Sequence, residues 1–191
     1  MHIKESVIKT DPKQIFFFIR LPDGLNKKYT SLGEKLIKDS SLENINPENN
    51  DHITLLYLPA EKEKIPRDIR NEAISEAAEI AGKFKPIKAT VQGWGYFDGA
   101  EGDDGPATAL VGLLDAPGLE DVHVKLKRAM RRLGFDFEQN HSFTPHATFC
   151  YLPQGTRLPD LPILGDKFSI DQFEMTNKKV YEFPFGKVVP Q

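Results

Sequence analysis

His52-Ile53-Thr54-Leu55-Leu56-Tyr57-Leu58-Pro59 returns 94 residues later as His146-Ala147-Thr148-Phe149-Cys150-Tyr151-Leu152-Pro153. Five of the eight positions are identical. Both copies are apolar apart from the His and Thr, and both stop at a proline, so each reads as a strand. A core needs apolar side chains of suitable volume; it does not need His-x-Thr twice. The repeat therefore predicts two similar halves, each delivering one imidazole and one hydroxyl to a shared site. Alternate side chains of a strand share a face. That rule joins His52, Thr54, Leu56 and Leu58, and sets Ile53, Leu55 and Tyr57 behind them. It likewise joins His146 to Thr148, with Ala147, Phe149 and Tyr151 on the packing face.

Working outward, Ile15 to Leu21 is a dense apolar run closed by Pro22-Asp23-Gly24, which predicts a buried strand and a turn. Leu25, Tyr29, Leu32, Leu36 and Ile37 recur at helical spacing and predict a helix over 24–39. Residues 40–51 are rich in Ser, Asn, Glu and Pro and read as a loop. Pro66 suits the first turn of a second helix that ends near Gly82. Ile87 to Phe97 and Ala107 to Leu114 predict a hairpin around the acidic stretch 98–105. Leu119, Val122, Leu126, Met130 and Leu133 mark one face of a third helix, closed by Gly134. The tail offers two strands, Phe168 to Met175 and Lys179 to Phe185. Helices interleaved with short, antiparallel-looking strands give an α+β fold of two pseudo-twofold lobes, with residues 1–191 as one bilobal domain.

The net charge of −3 carries no global footprint of a duplex-binding protein, so duplex DNA is not expected as a partner. The N-terminus lacks an apolar signal core, and no run reaches the ~18 apolar residues of a membrane span. A cytoplasmic protein is expected, in the host cytoplasm if the source is viral, with no membrane partner and a monomeric state. The single cysteine, Cys150, can form no intramolecular disulfide and is read as a small buried hydrophobe.

Two imidazoles suit concerted acid–base chemistry, because the histidine reference pKa of about 6.5 lets a neutral base and a protonated acid coexist. Two threonine hydroxyls can donate to anionic oxygens. A tetrahedral phosphodiester needs this set: a base for the attacking oxygen, an acid for the leaving oxygen, and donors for the non-bridging oxygens. His52, His146, Thr54 and Thr148 are thus the candidate catalytic residues. The scheme asks for no metal and no cofactor, and the histidines show no His-x-x-x-His spacing.

With these motifs the sequence resembles the 2H phosphoesterase superfamily, whose members carry two His-x-Thr-x motifs. The run Ile15 to Pro22 resembles that family's first strand. Leu133-Gly134-Phe135 and Phe143-Thr144-Pro145-His146 resemble its approach to the second motif. The resemblance implies two lobes of antiparallel sheet with outer helices and a central cleft, His52 and His146 as the acid–base pair, and Thr54 and Thr148 as phosphate ligands. It implies a nucleotide or oligonucleotide substrate with a 2′,3′-cyclic, 2′-5′, 3′-5′ or cyclic-oligonucleotide linkage. The context Asp51-His52-Ile53-Thr54-Leu55-Leu56-Tyr57 looks more like phage-type members, some of which resemble anti-defence enzymes that degrade host cyclic-oligonucleotide signals. A non-catalytic module that sequesters a nucleotide is the alternative from another class.

Other residues are weighed beside these. Trp94 is the first candidate platform for a nucleobase, with Tyr96 beside it; Phe97 alternates away from Tyr96, so both cannot face one cleft. The acidic stretch from Asp98 fails calcium-loop spacing and reads as a solvated loop. Lys125, Lys127, Arg128, Arg131 and Arg132 read as the solvated face of the third helix, with His123 exposed on it. His141 lies in a loop five residues before His146 and is a weak substrate contact at most.

Overall fold

The apolar run near the N-terminus forms β1 (Ile15–Arg20), whose Ile15, Phe17 and Ile19 are buried. The computed structural model describes residues 14–39, 46–47, 52–58, 65–102, 105–137, 142–158, 161–177 and 179–187. After β1 come α1 (Asp23–Asp39), β2 (Asn46–Pro47), β3 (His52–Leu58) and α2 (Arg67–Gly82). Then follow β4 (Ile87–Gly102), β5 (Gly105–Asp115), α3 (Leu119–Arg132) and β6 (His146–Pro153). The chain closes with β7 (Lys167–Ile170), β8 (Gln172–Asn177) and β9 (Lys179–Pro184).

These strands make two antiparallel sheets, ordered β3-β1-β8-β9 and β2-β6-β5-β4-β7. Leaving out the short β2, each sheet is four strands wide with its His-x-Thr strand at one side, β3 beside β1 in the first and β6 beside β5 in the second. The expected pseudo-twofold α+β architecture is thus present. α2 and α3 pack on the first sheet and α1 packs on β6 of the second, so each sheet has one face under helices. The apolar residues of both sheets and all three helices join in one core cluster. β3 and β6 also meet, which brings the two motif strands side by side at the junction of the lobes. No described helix is long and apolar enough to cross a membrane.

Four expectations change. The acidic stretch is not a loop up to residue 102: β4 runs through it, pairing Asp98 with Thr108 and Ala100 with Ala107. Gly99 supplies the extra residue of a bulge there, with φ of 77° that suits glycine. Asp98 is fixed by Thr108 Oγ1 at 2.6 Å and by Arg157 at 2.6 Å, and those donors hold its carboxyl below the usual carboxylate range. The single strand expected from Phe168 to Met175 is broken at Asp171, and its pieces join different sheets. The segment 40–51 contains β2 at its centre. Pro66 also stands one place earlier than expected, as the residue preceding the α2 helix.

Candidate active site

The two motif strands share a defect in the same place. On β3, Thr54 faces Phe18 and Leu56 faces Phe17, so Leu55 is an extra residue in the ladder. On β6, Thr148 faces Val111 and Cys150 faces Leu110, so Phe149 is the extra residue. A β-bulge of this kind reverses side-chain parity beyond it. Up to the Thr the alternation holds: His52 and Thr54 are half-buried, while Ile53 and Leu55 are buried. Beyond it, Leu56 and Leu58 turn inward with Leu55, and Tyr57 turns to the His52 face, 47% exposed. Residues 146–152 repeat the pattern, with Cys150 and Leu152 buried and Tyr151 half-buried. The expectation that Leu56 and Leu58 share a face with His52, and that the tyrosines face the helices, is therefore corrected. The signal was present in the sequence: Leu55-Leu56 and Phe149-Cys150 place two apolar residues in succession, which strict alternation cannot bury together.

The helices settle which face is open. Phe149 packs on Tyr29 of α1 with ring centroids 4.7 Å apart, and His123 of α3 bonds the Leu55 carbonyl. His52 and Thr54, and likewise His146 and Thr148, therefore stand on the helix-free face of their own sheet. On the first lobe the His52 ring meets Phe16 edge-on at 5.2 Å and Phe18 at 6.0 Å. On the second, the His146 ring meets Phe97 edge-on at 4.7 Å. His146 Nδ1 lies 2.7 Å from the Thr144 carbonyl oxygen. A carbonyl only accepts, so Nδ1 donates, and the neutral ring carries its lone pair on Nε2. The turn before the strand thus fixes both the tautomer and the aim of the ring.

The lobes are not electrically equal. Arg20 stands opposite His52 in the ladder, as Leu113 stands opposite His146. Arg20 forks onto Glu174 through Nε and Nη2 at 3.1 and 3.0 Å, and Glu174 is almost fully buried. Glu174 faces Phe18, whereas Gly95 fills the corresponding place in the second sheet. The bidentate pair compensates a carboxylate that burial would otherwise penalise heavily.

Trp94 and Tyr96 do not face this site. Register carries the His146 face from Leu113 and Val111 to Gly93 and Gly95 and on to Phe97. Trp94 and Tyr96 lie on the opposite face. The Trp94 ring packs 4.5 Å from Phe149, and its Nε1 donates to the Pro162 carbonyl at 2.6 Å. The Tyr96 hydroxyl donates to the Leu158 carbonyl and accepts the Leu158 N–H, with the Arg157 guanidinium over its ring. Alternation within β4 is as expected: Trp94 and Tyr96 lie on the face away from His146, and Phe97 is the β4 aromatic that meets its ring.

Sequence reasoning also missed His123. It is not exposed: it is 4% accessible, its Nδ1 lies 2.7 Å from the Leu55 carbonyl, and its ring stacks on Phe143 at 4.3 Å. Burial holds its pKa below the usual histidine value, despite the bond to Leu55. A depressed histidine binds fewer protons folded than unfolded, so its stability contribution is present above the unfolded pKa and is lost as pH falls toward the folded one. His123→Gln is accordingly expected to show a smaller melting-temperature loss between pH 7 and pH 5 than the wild type. An equal loss in both would remove His123 from the acid response. Cys150 is buried, with its thiol pushed up to about 12, as befits an inert packing residue. Lys125, Arg128, Arg131 and Arg132 are exposed on α3. His141 and Pro59 lie outside the described residues, and no group of three or more metal-ligating side chains occurs among those described.

Comparison with known proteins gives the family and the shared fold. The sequence matches the 2′-5′ RNA ligase superfamily over residues 48–168, a span that contains both motifs. The chain belongs to this superfamily. Solved structures similar to this member include TT0787 of Thermus thermophilus, at 19% identity and a TM-score of 0.66, covering 91% of this chain and 98% of that one. E. coli LigT complexed with 3′-AMP is similar at 18% identity and a TM-score of 0.59, covering 92% and 96%. The MHV ns2 PDE domain is similar at 17% identity and a TM-score of 0.54, covering 85% and 98%. At such identities these likenesses describe the fold that this superfamily member shares. No curated protein matches the chain by sequence.

Proposed function

We propose that this superfamily member is a metal-independent phosphodiesterase acting on a nucleotide or oligonucleotide, with residues 1–191 working as one bilobal domain. The observation that carries the reading is the duplicated bulged strand, which presents a His and a Thr on the helix-free face of each sheet. One imidazole takes the proton of water, or of a neighbouring 2′-hydroxyl, as its oxygen attacks phosphorus. The other gives a proton to the leaving oxygen as the P–O bond breaks. Thr54 and Thr148 donate to the non-bridging oxygens, whose charge grows in the transition state. With a 2′-hydroxyl as nucleophile the product is a cyclic phosphate; with water it is a phosphomonoester. Membership of the superfamily supports a phosphodiesterase, and LigT has been solved with 3′-AMP, ATP and NADP+, which is in keeping with a nucleotide ligand here.

A chelator-treated turnover screen tests the reading, with the His52→Ala/His146→Ala protein as blank. The panel holds 2′,3′-cyclic nucleotides, 2′-5′ and 3′-5′ oligoadenylates, and cyclic di- and trinucleotides. Cleavage in EDTA by the wild type alone is expected. Selective cleavage of a cyclic oligonucleotide would narrow the role to destruction of a host defence signal. Tight binding of one panel member without turnover would replace the enzyme with a sequestering module.

A further inference from the structure

A bulge takes its extra residue out of the ladder, so a buried carbonyl there needs another partner. In the first motif strand the extra residue is Leu55, next to Thr54. His123 of α3 meets its carbonyl oxygen from the helix side, through Nδ1 at 2.7 Å. A carbonyl only accepts, so Nδ1–H donates. In the second strand the equivalent carbonyl, of Phe149, is faced by Gly33 of α1, where a Cβ would come within 3.1 Å of the oxygen. Both bulges are thus backed by a helix, the first through a side-chain donor and the second through close backbone approach. The His123 ring also leads to the second motif. It stacks on Phe143 with centroids 4.3 Å apart and planes 5° apart. Phe143 directly precedes Thr144, whose carbonyl oxygen takes the His146 Nδ1–H at 2.7 Å. On the other side of Thr144, the Pro145 carbonyl accepts the Leu114 N–H at 3.0 Å. Thr144 itself is exposed, so these two neighbours hold its carbonyl in place.

From this we infer that His123 is a positioning residue shared by the two motifs. Its Nδ1–H holds the bulge at Leu55, and so fixes where the Thr54 hydroxyl stands. Its ring holds Phe143, and so fixes the Thr144 carbonyl that selects the His146 tautomer. One buried imidazole on the helix side thereby sets a phosphate donor from one lobe and a proton carrier from the other. It touches neither substrate nor reacting atoms. The inference rests on the phosphodiesterase reading and adds a residue to that same site.

Two variants separate the two contacts. His123→Phe keeps a ring against Phe143 but has no N–H, and Phe143→Leu removes the stack without touching α3. Kinetics are read on the best substrate of the turnover panel, below the melting temperature of each variant. His123→Phe is expected to lower kcat about 10-fold with a smaller change in KM, because a misplaced donor is missed most in the transition state. In a Thr54→Val background the same substitution should change kcat by less than about twofold, since the group it positions is already gone. Long-range proton–nitrogen NMR, at a pH where the ring is neutral, should show His146 of the wild type as one tautomer with its proton on Nδ1; the signal is assigned by its absence from His146→Ala. His123→Phe should keep that single tautomer, and Phe143→Leu should show a mixture of both. Phe143 is half-buried on the turn before β6, so its variant tests the inference even where His123→Phe fails to fold. An equal kcat loss in both backgrounds would make His123 an ordinary core residue and overturn the Thr54 half. An unchanged single tautomer in Phe143→Leu would overturn the His146 half. In either case the phosphodiesterase reading stands. If the wild type turns over no panel member, that reading falls and takes the positioning role of His123 with it.

Discussion

His52→Ala and His146→Ala are each expected to lower kcat on a cleaved phosphodiester by about 10²–10⁴-fold, with the melting temperature almost unchanged. Both side chains are half-buried on an open face and lie outside the core cluster, so truncation removes little packing. The double variant should be little slower than the worse single variant, because a base without its acid, or an acid without its base, no longer acts as part of a unit. Thr54→Val and Thr148→Val keep shape and remove one donor each. They should cost about 10²-fold in kcat, with a smaller change in KM, since the donors serve charge that grows in the transition state. Steady-state kinetics on all five proteins, with thermal melts alongside, read the prediction. A full multiplicative loss in the double variant would mean that the two histidines contribute independently and not as a coupled acid–base pair.

Phe149→Ala is expected to destabilise the fold by about 3–5 kcal/mol, the largest stability effect foreseen for a single residue next to the motifs. Phe149 is fully buried as the bulged residue of β6, and its ring meets Tyr29 at 4.7 Å and Trp94 at 4.5 Å. The same ring explains a glycine. A Cβ placed on Gly112 would lie 2.8 Å from Phe149 Cε2 and 3.2 Å from Val91 Cγ1. Gly112→Ala should therefore cost about 1–3 kcal/mol by overpacking. Phe149→Leu withdraws the offending ring edge, so the Gly112→Ala/Phe149→Leu pair should be less damaged than the sum of its parts. A double-mutant cycle from chemical denaturation measures that coupling. Strict additivity would mean that Phe149 does not press on Gly112.

Much of this was legible in the chain itself. The octapeptide pair fixed the duplication, and helical spacing placed α1, α2 and α3 to within a residue or two. The bulges were not legible by alternation alone, because one inserted residue reverses every side chain after it. That single feature moves Tyr57 and Tyr151 from the packing face to the histidine face of their strands. Alternation separates Trp94 and Tyr96 from Phe97, yet which of the two faces meets His146 is set by pairing with β5, a long-range fact that no local rule supplies. His123 reads as polar and solvated on a helix wheel. Only the docking of α3 against β3 gives its Nδ1 a buried carbonyl partner. The Arg20–Glu174 pair joins residues 154 apart in the chain, which spacing could not have linked.

The most direct test of paired acid–base catalysis is the pH dependence of kcat/KM in EDTA, on the best substrate of the turnover panel. A bell is expected, with one limb from the group that must be neutral and the other from the group that must be protonated. Whatever activity survives in His52→Ala should lack one limb, and that in His146→Ala should lack the other. A bell retained whole in both variants, or activity lost on chelation and restored by a divalent metal, would contradict the two-histidine mechanism.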